Sequence, residues 1–186
     1  MEKKTKIFNQ AIEYTACYRN IRYPRLEFKT GRLVVIMPKG QKNENDIIEK
    51  HKRWIFKKNA LIHKAIKDTG NIKRCPVKSI DEFKSYISKL VKKYGIQNGT
   101  NGKIDKIYFR EMKSKWGSLS SNRNLTINTL ARRLPEYLIN YIVFHEMTHL
   151  LEKRHNERYW SLIKKEYKQP SKYESDLLKY WFIINN

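Results

Sequence analysis

Cysteine is scarce in this chain of 186 residues, which has only Cys17 and Cys75. Two thiols make neither a disulfide scaffold nor a cysteine-rich zinc site. They read as reduced thiols of a cytoplasmic protein. Long apolar runs are also missing. The longest, Leu33 to Met37 and Tyr141 to Phe144, fall far short of the ~20 residues a membrane helix needs. The N-terminal stretch MEKKTKIFNQAIEYTACYRN is basic but has no apolar segment behind it, which argues against a secretory leader. No membrane partner is expected. Acidic residues are outnumbered, 18 against 40 Lys and Arg, for a net charge of +22. Glycine is absent beyond Gly117. There is no internal repeat and no low-complexity tract.

What is present suffices for a core. Hydrophobic residues make up 40% of the chain, with 12 Tyr, 7 Phe and 4 Trp, which sets it apart from disordered basic chains. A chain of this length can bury roughly 70% of its unfolded surface without staples. The size suits one domain, or one with an appendage. The positive charge suits a phosphate-bearing partner, since Lys and Arg release counterions from nucleic acid. A biased composition or a solvated surface gives the same charge. Residues 1–95 carry +15 and residues 96–186 carry +7.

Residues 11–37 alternate as strands in IEYTACY, RLEFK and RLVVIMP, with Thr30-Gly31 as a turn, so a short antiparallel sheet or meander is expected. Residues 44–68 keep helical spacing, with Asn43 or Asn45 as cap and Gly70 beyond the end. Gly70 to Lys78 reads as a loop. Further helices are predicted over 80–94, from Pro135 onward, and over 156–168 and 171–183. Strands are predicted at Ile104 to Arg110 and Leu125 to Asn128, the latter after a polar loop from Ser118 to Asn124.

Residues 145–149 read HEMTH, inside the apolar helical segment LINYIVFHEMTHLL. Positions i and i+4 lie one turn apart on the same face. His145 and His149 can therefore aim at one metal ion. Glu146, beside the first ligand, can reach a water on that ion without occupying a coordination position. Catalytic zinc takes three protein ligands and a water. A shuffle of this composition produces the pattern about once in 100 chains. His155 follows His149 by six positions, and a helix ending near Lys153 would let the chain bend it back to the metal. Glu166 and Glu174 are the alternative third ligands. His51 and His63 are isolated and read as structural or exposed. A metzincin site needs a glycine between the second and third ligands. None is present in Leu150 to Arg154.

The segment MKSKWGSLSSNRNLTIN at 112–128, with RRLPEYLINYIVFHEMTHLLEKRHNERYW at 132–160, resembles the YgjP-like metal-dependent hydrolases. These are zincin-type metallopeptidases, distantly similar to SprT-like proteases that act on DNA-bound proteins. The N-terminal RYPRLEFKTGRLVVIMPKG resembles the start of the same family. Leu119 departs from the pattern, standing where the family commonly has Cys. The resemblance implies a metal-dependent hydrolase, and a nucleotide pyrophosphatase activity has been suggested within the group.

Together these readings give an α+β fold. Residues 1–77 form a small β-rich part with a long basic helix. Residues 78–186 form a zincin-like metallopeptidase domain whose antiparallel sheet packs on the HExxH helix. The leading function is zinc-dependent peptide hydrolysis, with Glu146 as general base. His145, His149 and His155 hold Zn²⁺, or another divalent ion such as Ni²⁺, Mn²⁺ or Mg²⁺. Lys113, Lys115, Arg133 and Tyr159 are candidate substrate or anion contacts. Asn128, Arg133 and Tyr159 are candidates to stabilise an oxyanion. For the segment Lys113 to Ser118 the favoured reading is structural, with Trp116 anchoring the loop and Gly117 allowing its turn, ahead of a basic loop that borders the metal cleft. Two other functions stay open: a nucleoside triphosphate pyrophosphatase, and a non-enzymatic nucleic-acid-binding module with a structural metal. Weak nucleic-acid binding through the basic N-terminal half is expected in either case.

Overall fold

The computed structural model describes residues 2–29, 31–41, 43–68 and 75–185. Thr30, Gly70 and the first part of the expected loop from Gly70 lie outside these residues. The chain divides into two compact units, one of residues 1–70 with 181–186 and one of residues 71–180.

The first unit holds strands β1 (Glu2–Ile7), β2 (Gln10–Arg19), β3 (Arg25–Lys29) and β4 (Arg32–Pro38), then helices α1 (Glu44–Lys50) and α2 (Lys52–Lys67). The sheet order is β1-β2-β4-β3. β1 pairs antiparallel with β2, and β3 with β4. β2 and β4 run parallel, against the expected meander. The reason lies in β4, whose residues Leu33 to Pro38 are all buried. Such a strand takes a central place with covered faces, and β3 is left at the edge. β1 escapes the sequence pattern because only its last residue, Ile7, is buried. Its lysines instead suit an open sheet edge.

The helix expected over 44–68 is broken at His51, whose φ/ψ of −113/14 leave the α region. The break lets Ile47 and Ile48 of α1 and Ile55 of α2 join one core with Ile12, Leu33 and Val35. Asn43 precedes α1 but makes no side-chain cap. Cys17 and Cys75 are both free thiols.

The second unit begins with α3 (Ile80–Gln97), closed at its start by a reciprocal Ser79–Glu82 capping box. It runs three residues past the expected end. Strands β5 (Lys106–Arg110), β6 (Gly117–Leu119) and β7 (Asn124–Asn128) form a sheet of order β5-β7-β6. A 3-10 turn at Thr129–Arg133 leads into α4 (Glu136–Thr148), and α5 (Glu157–Glu166) and α6 (Pro170–Asn185) follow. The antiparallel sheet expected here holds for β6 with β7, whereas β5 and β7 are parallel. Again the buried strand is central: Leu125 to Asn128 are all buried. α4 touches α3, α5 and β6, and is buried almost all round. Among the described residues no helix is long and apolar enough to cross a membrane.

Glu44 is a buried carboxylate in the first unit. It accepts from Lys3 Nζ at 2.7 Å and from the Tyr18 hydroxyl. Lys3 and Tyr18 hold its carboxyl below the ordinary value, against the opposing effect of burial. A depressed carboxyl stabilises the fold above its unfolded pKa, and that stabilisation fades as pH falls through the folded one. Glu44→Gln is therefore expected to lower the melting temperature at pH 7. It should also flatten the loss of stability below about pH 4.5, the upper end of the unfolded carboxyl range. Thermal melts of both proteins across this range check it.

Candidate metal centre

α4 brings the first two elements of the motif to the edge of a cleft. Its apolar residues Leu138, Ile139, Ile142 and Val143 anchor it in the core, which fixes the side that His145 and Glu146 present. The helix ends at Thr148, short of the expected Lys153, and His149 is its C-cap. The turn is made without glycine. His149, Leu150 and Leu151 donate their N–H groups to Glu146, Met147 and Thr148 at 3.0–3.1 Å, an i→i−3 pattern that tightens the last turn. Thr148 Oγ1 returns to the Phe144 carbonyl at 2.8 Å. The chain then swings His155 back over the helix end, and Asn156 caps α5 through the Tyr159 N–H at 3.0 Å.

His145, His149 and His155 meet there, each offering a ring nitrogen within 4.8 Å of the others. His145 Nε2 and His155 Nε2 are 3.1 Å apart. Two imidazole nitrogens that close need a proton or a cation between them. Burial pushes His145 down to about 3, helped by the neighbouring His155 and His149. Burial likewise lowers His149, with the Glu152 carbonyl opposing. Neutral imidazole is the form that binds a metal. The second nitrogens have their own surroundings. His149 Nδ1 lies 3.1 Å from the Glu152 carbonyl, which suits an N–H there and leaves Nε2 free as a ligand. His145 Nδ1 is buried without a hydrogen-bond partner, and the nearest carboxylate oxygen, Glu174 Oε1, is 3.7 Å away. The donor set, its mutual spacing and the lowered pKa values of His145 and His149 fit one divalent ion.

Glu146 is 9% exposed. Burial raises its carboxyl to about 7, opposed by the Leu119 N–H and by Lys115. A nearby divalent cation would pull it back down. It is the Leu119 backbone, not the side chain that departs from the family pattern, that acts on this carboxyl. Gly117 does more than allow a turn: its φ is not left-handed. A Cβ at this position would stand 2.6 Å from Glu146 Cγ. The missing side chain is the space in which Glu146 sits.

The other expected contacts divide. Lys115 lines the cleft, which has a volume of about 830 Å³, and Lys113 and Arg133 do not line it. Tyr159 is fully buried, with its hydroxyl donated to the His145 carbonyl at 3.0 Å and its ring stacked on His149 at 4.7 Å. It braces the histidines and is not a substrate contact. Asn128 is also fully buried. Its Nδ2 donates to the Met112 and Lys115 carbonyls at 2.9 and 2.7 Å, and its Oδ1 accepts the Leu130 N–H. An amide so fully used cannot stabilise an oxyanion. Trp160 stacks on His155 with ring centroids 5.8 Å apart. Glu166 bonds Gln97 at 2.7 Å, away from the cleft, whereas Glu174 lines the cleft and accepts from the Tyr141 hydroxyl at 2.7 Å. His51 and His63 are exposed. The roles of Gly117 and Tyr141 had no sequence signal beyond residue type.

Residues 78–180 match the YgjP-like metallopeptidase domain. Two solved structures are similar. The metallopeptidase zymogen abylysin of Pyrococcus abyssi is 20% identical, with 50% of this chain and 91% of that chain covered and a TM-score of 0.46. The metallopeptidase zymogen jannalysin of Methanocaldococcus jannaschii is 24% identical, with 50% and 88% covered and a TM-score of 0.44. No curated protein matches the chain.

Gly117→Ala is expected to force Glu146 or β6 to move. The cost should be about 1–3 kcal/mol, as for an overpacked core position. Urea unfolding measures it, and unchanged stability would mean that Glu146 moves aside freely.

Proposed function

Because the chain belongs to the YgjP-like metallopeptidase family, we propose that it is a zinc-dependent peptidase with Glu146 as general base. The observation that carries the reading is the meeting of three imidazoles, with ring nitrogens within 4.8 Å of one another, beside one buried carboxylate. His145, His149 and His155 would hold the ion, and no fourth protein ligand accompanies them among the described residues. Such an open site is catalytic in type, which weighs against a purely structural metal. When bound, zinc acidifies a water and polarises the carbonyl to be attacked.

The protein's own groups supply the rest. The Glu146 carboxylate accepts the proton from the attacking water and later passes it to the leaving amine. The Leu119 N–H and Gly117 hold that carboxylate in place. The Glu152 carbonyl orients His149, and Tyr159 fixes the carbonyl of His145 and the plane of His149.

Glu146→Gln is expected to keep the metal and lose about 10³-fold or more in peptide hydrolysis, in the upper part of the usual range for a lost general base because the water is also no longer positioned. Metal analysis and casein cleavage read the two effects separately. Nucleoside triphosphates belong in the same assay. Pyrophosphate release that needs Glu146, without any proteolysis, would replace the peptidase reading by the pyrophosphatase one.

A polyanion-binding role for the first unit is supported by α2. Its sequence, KRWIFKKNALIHKAIK, has six cations and no acidic residue. Arg53, Lys57, Lys64 and Lys67 are exposed along it at helical spacing, next to exposed Trp54 and Leu61. Duplex DNA is expected to bind weakly near 50 mM salt and to dissociate steeply as salt rises. Anisotropy titrations at several salt concentrations check this, and salt-independent binding would contradict it.

A further inference from the structure

The cleft beside the histidines is rimmed by cations. Lys103, Lys115, Arg123 and Lys153 line it, against two carboxylates, Glu146 and Glu174. Arg123 is tied to Asp105 at 3.0 Å. The three lysines have no acidic partner among the described residues and are exposed. They come from separate segments: before β5, before β6 and after α4.

Lys115 is unlike a loose surface lysine. Its carbonyl accepts from the fully buried Asn128 amide at 2.7 Å. The carbonyl of the next residue, Trp116, accepts the Asn128 N–H at 2.8 Å. Trp116 Nε1 in turn donates to the Leu177 carbonyl at 3.3 Å. The backbone that carries Lys115 is thus pinned from both sides. Lys115 lines the same cleft as Glu146 and the three histidines, so its ammonium belongs to the cavity that would hold the bond to be cut.

We propose that the cleft selects peptides with acidic side chains next to the scissile bond, with Lys115 the residue that reads the carboxylate. This rests on the peptidase reading. Lys103 and Lys153 add to the attractive field along the cleft. Phosphate groups usually call for convergent donors, such as a forked arginine or a nest of backbone N–H groups. Here the lining arginine is already paired and the lysines come singly from three separate segments. Single ammonium groups, each on its own segment, suit carboxylates carried one at a time along an extended chain, whose same-side residues recur about every 6.5–7 Å.

Binding to zinc-loaded Glu146→Gln protein tests the proposal apart from turnover. The probes are labelled peptides of one length with Asp and Glu, Asn and Gln, or Lys around the central bond, and a labelled nucleoside triphosphate. The acidic peptide should bind about tenfold tighter than the neutral one at 50 mM salt, the sum of a few exposed ion pairs of ordinary strength. The gap should narrow at 300 mM salt. Lys115→Ala should shrink it several-fold, and Lys115→Arg should retain it. Equal affinity for acidic and neutral peptides, or a gap untouched by Lys115→Ala, overturns the proposal. Casein cleavage by the unaltered protein then shows whether the peptidase reading survives. Tight triphosphate binding with no peptide bound or cut overturns both.

Discussion

Three imidazoles can share one cation only if none of them is protonated and all are held in contact. The second unit brings three imidazoles into such contact. Burial of α4 keeps His145 neutral at any pH near 7, and the same burial presents His145 and Glu146 to one cleft. The cost is a turn at the end of α4 that must reverse within a few residues. The chain makes it with shortened i→i−3 hydrogen bonds and the Thr148 hydroxyl, in a stretch that has no glycine. His155 then closes over the helix end, and Tyr159 and Trp160 pack on the rings from behind.

The carboxylate needs a different support. Glu146 is nearly buried, so something must face it that is small and can donate. β6 provides both: the bare Cα of Gly117 and the Leu119 N–H. β6 is itself fixed by pairing with β7, and the loop before it is locked by Asn128. A three-residue strand at the sheet edge thereby becomes part of the site. The three histidines come from α4 and the loop after it, while the Glu146 carboxylate is seated against the sheet.

How far the sequence foretold this depends on which contacts are local. The i, i+4 spacing of His145 and His149 is a property of helix pitch, so it was legible, and His155 stood close enough in the chain to be noticed. The helix expected over 80–94 was legible because its buried residues recur at helical spacing, and the one from Pro135 because proline suits the start of a helix. β1 was hidden because a lysine-rich edge strand buries almost nothing. β6 was hidden because three residues are too few for a period. The parallel pairings of β2 with β4 and β5 with β7 depend on which strand is most completely buried, and that is decided by the assembled sheet. Tyr159 and Asn128 looked like reactive polar groups in sequence. Their hydroxyl and amide turn out to be spent on His145 and on the loop at 112–116.

The positive charge also takes on a more definite meaning. It is not spread evenly: α2 lacks any acidic residue, and lysines without an ion pair among the described residues rim the cleft. These are separate features with separate salt dependences. Neither bears on whether the three histidines bind one ion, and everything proposed for the site stands on that. X-ray absorption at the zinc edge of the loaded protein tests it most directly. The expected spectrum has three imidazole nitrogens at about 2.0–2.1 Å and one oxygen, with one imidazole lost in His155→Ala. Sulfur in the first shell, or a spectrum unchanged by His155→Ala, would contradict it.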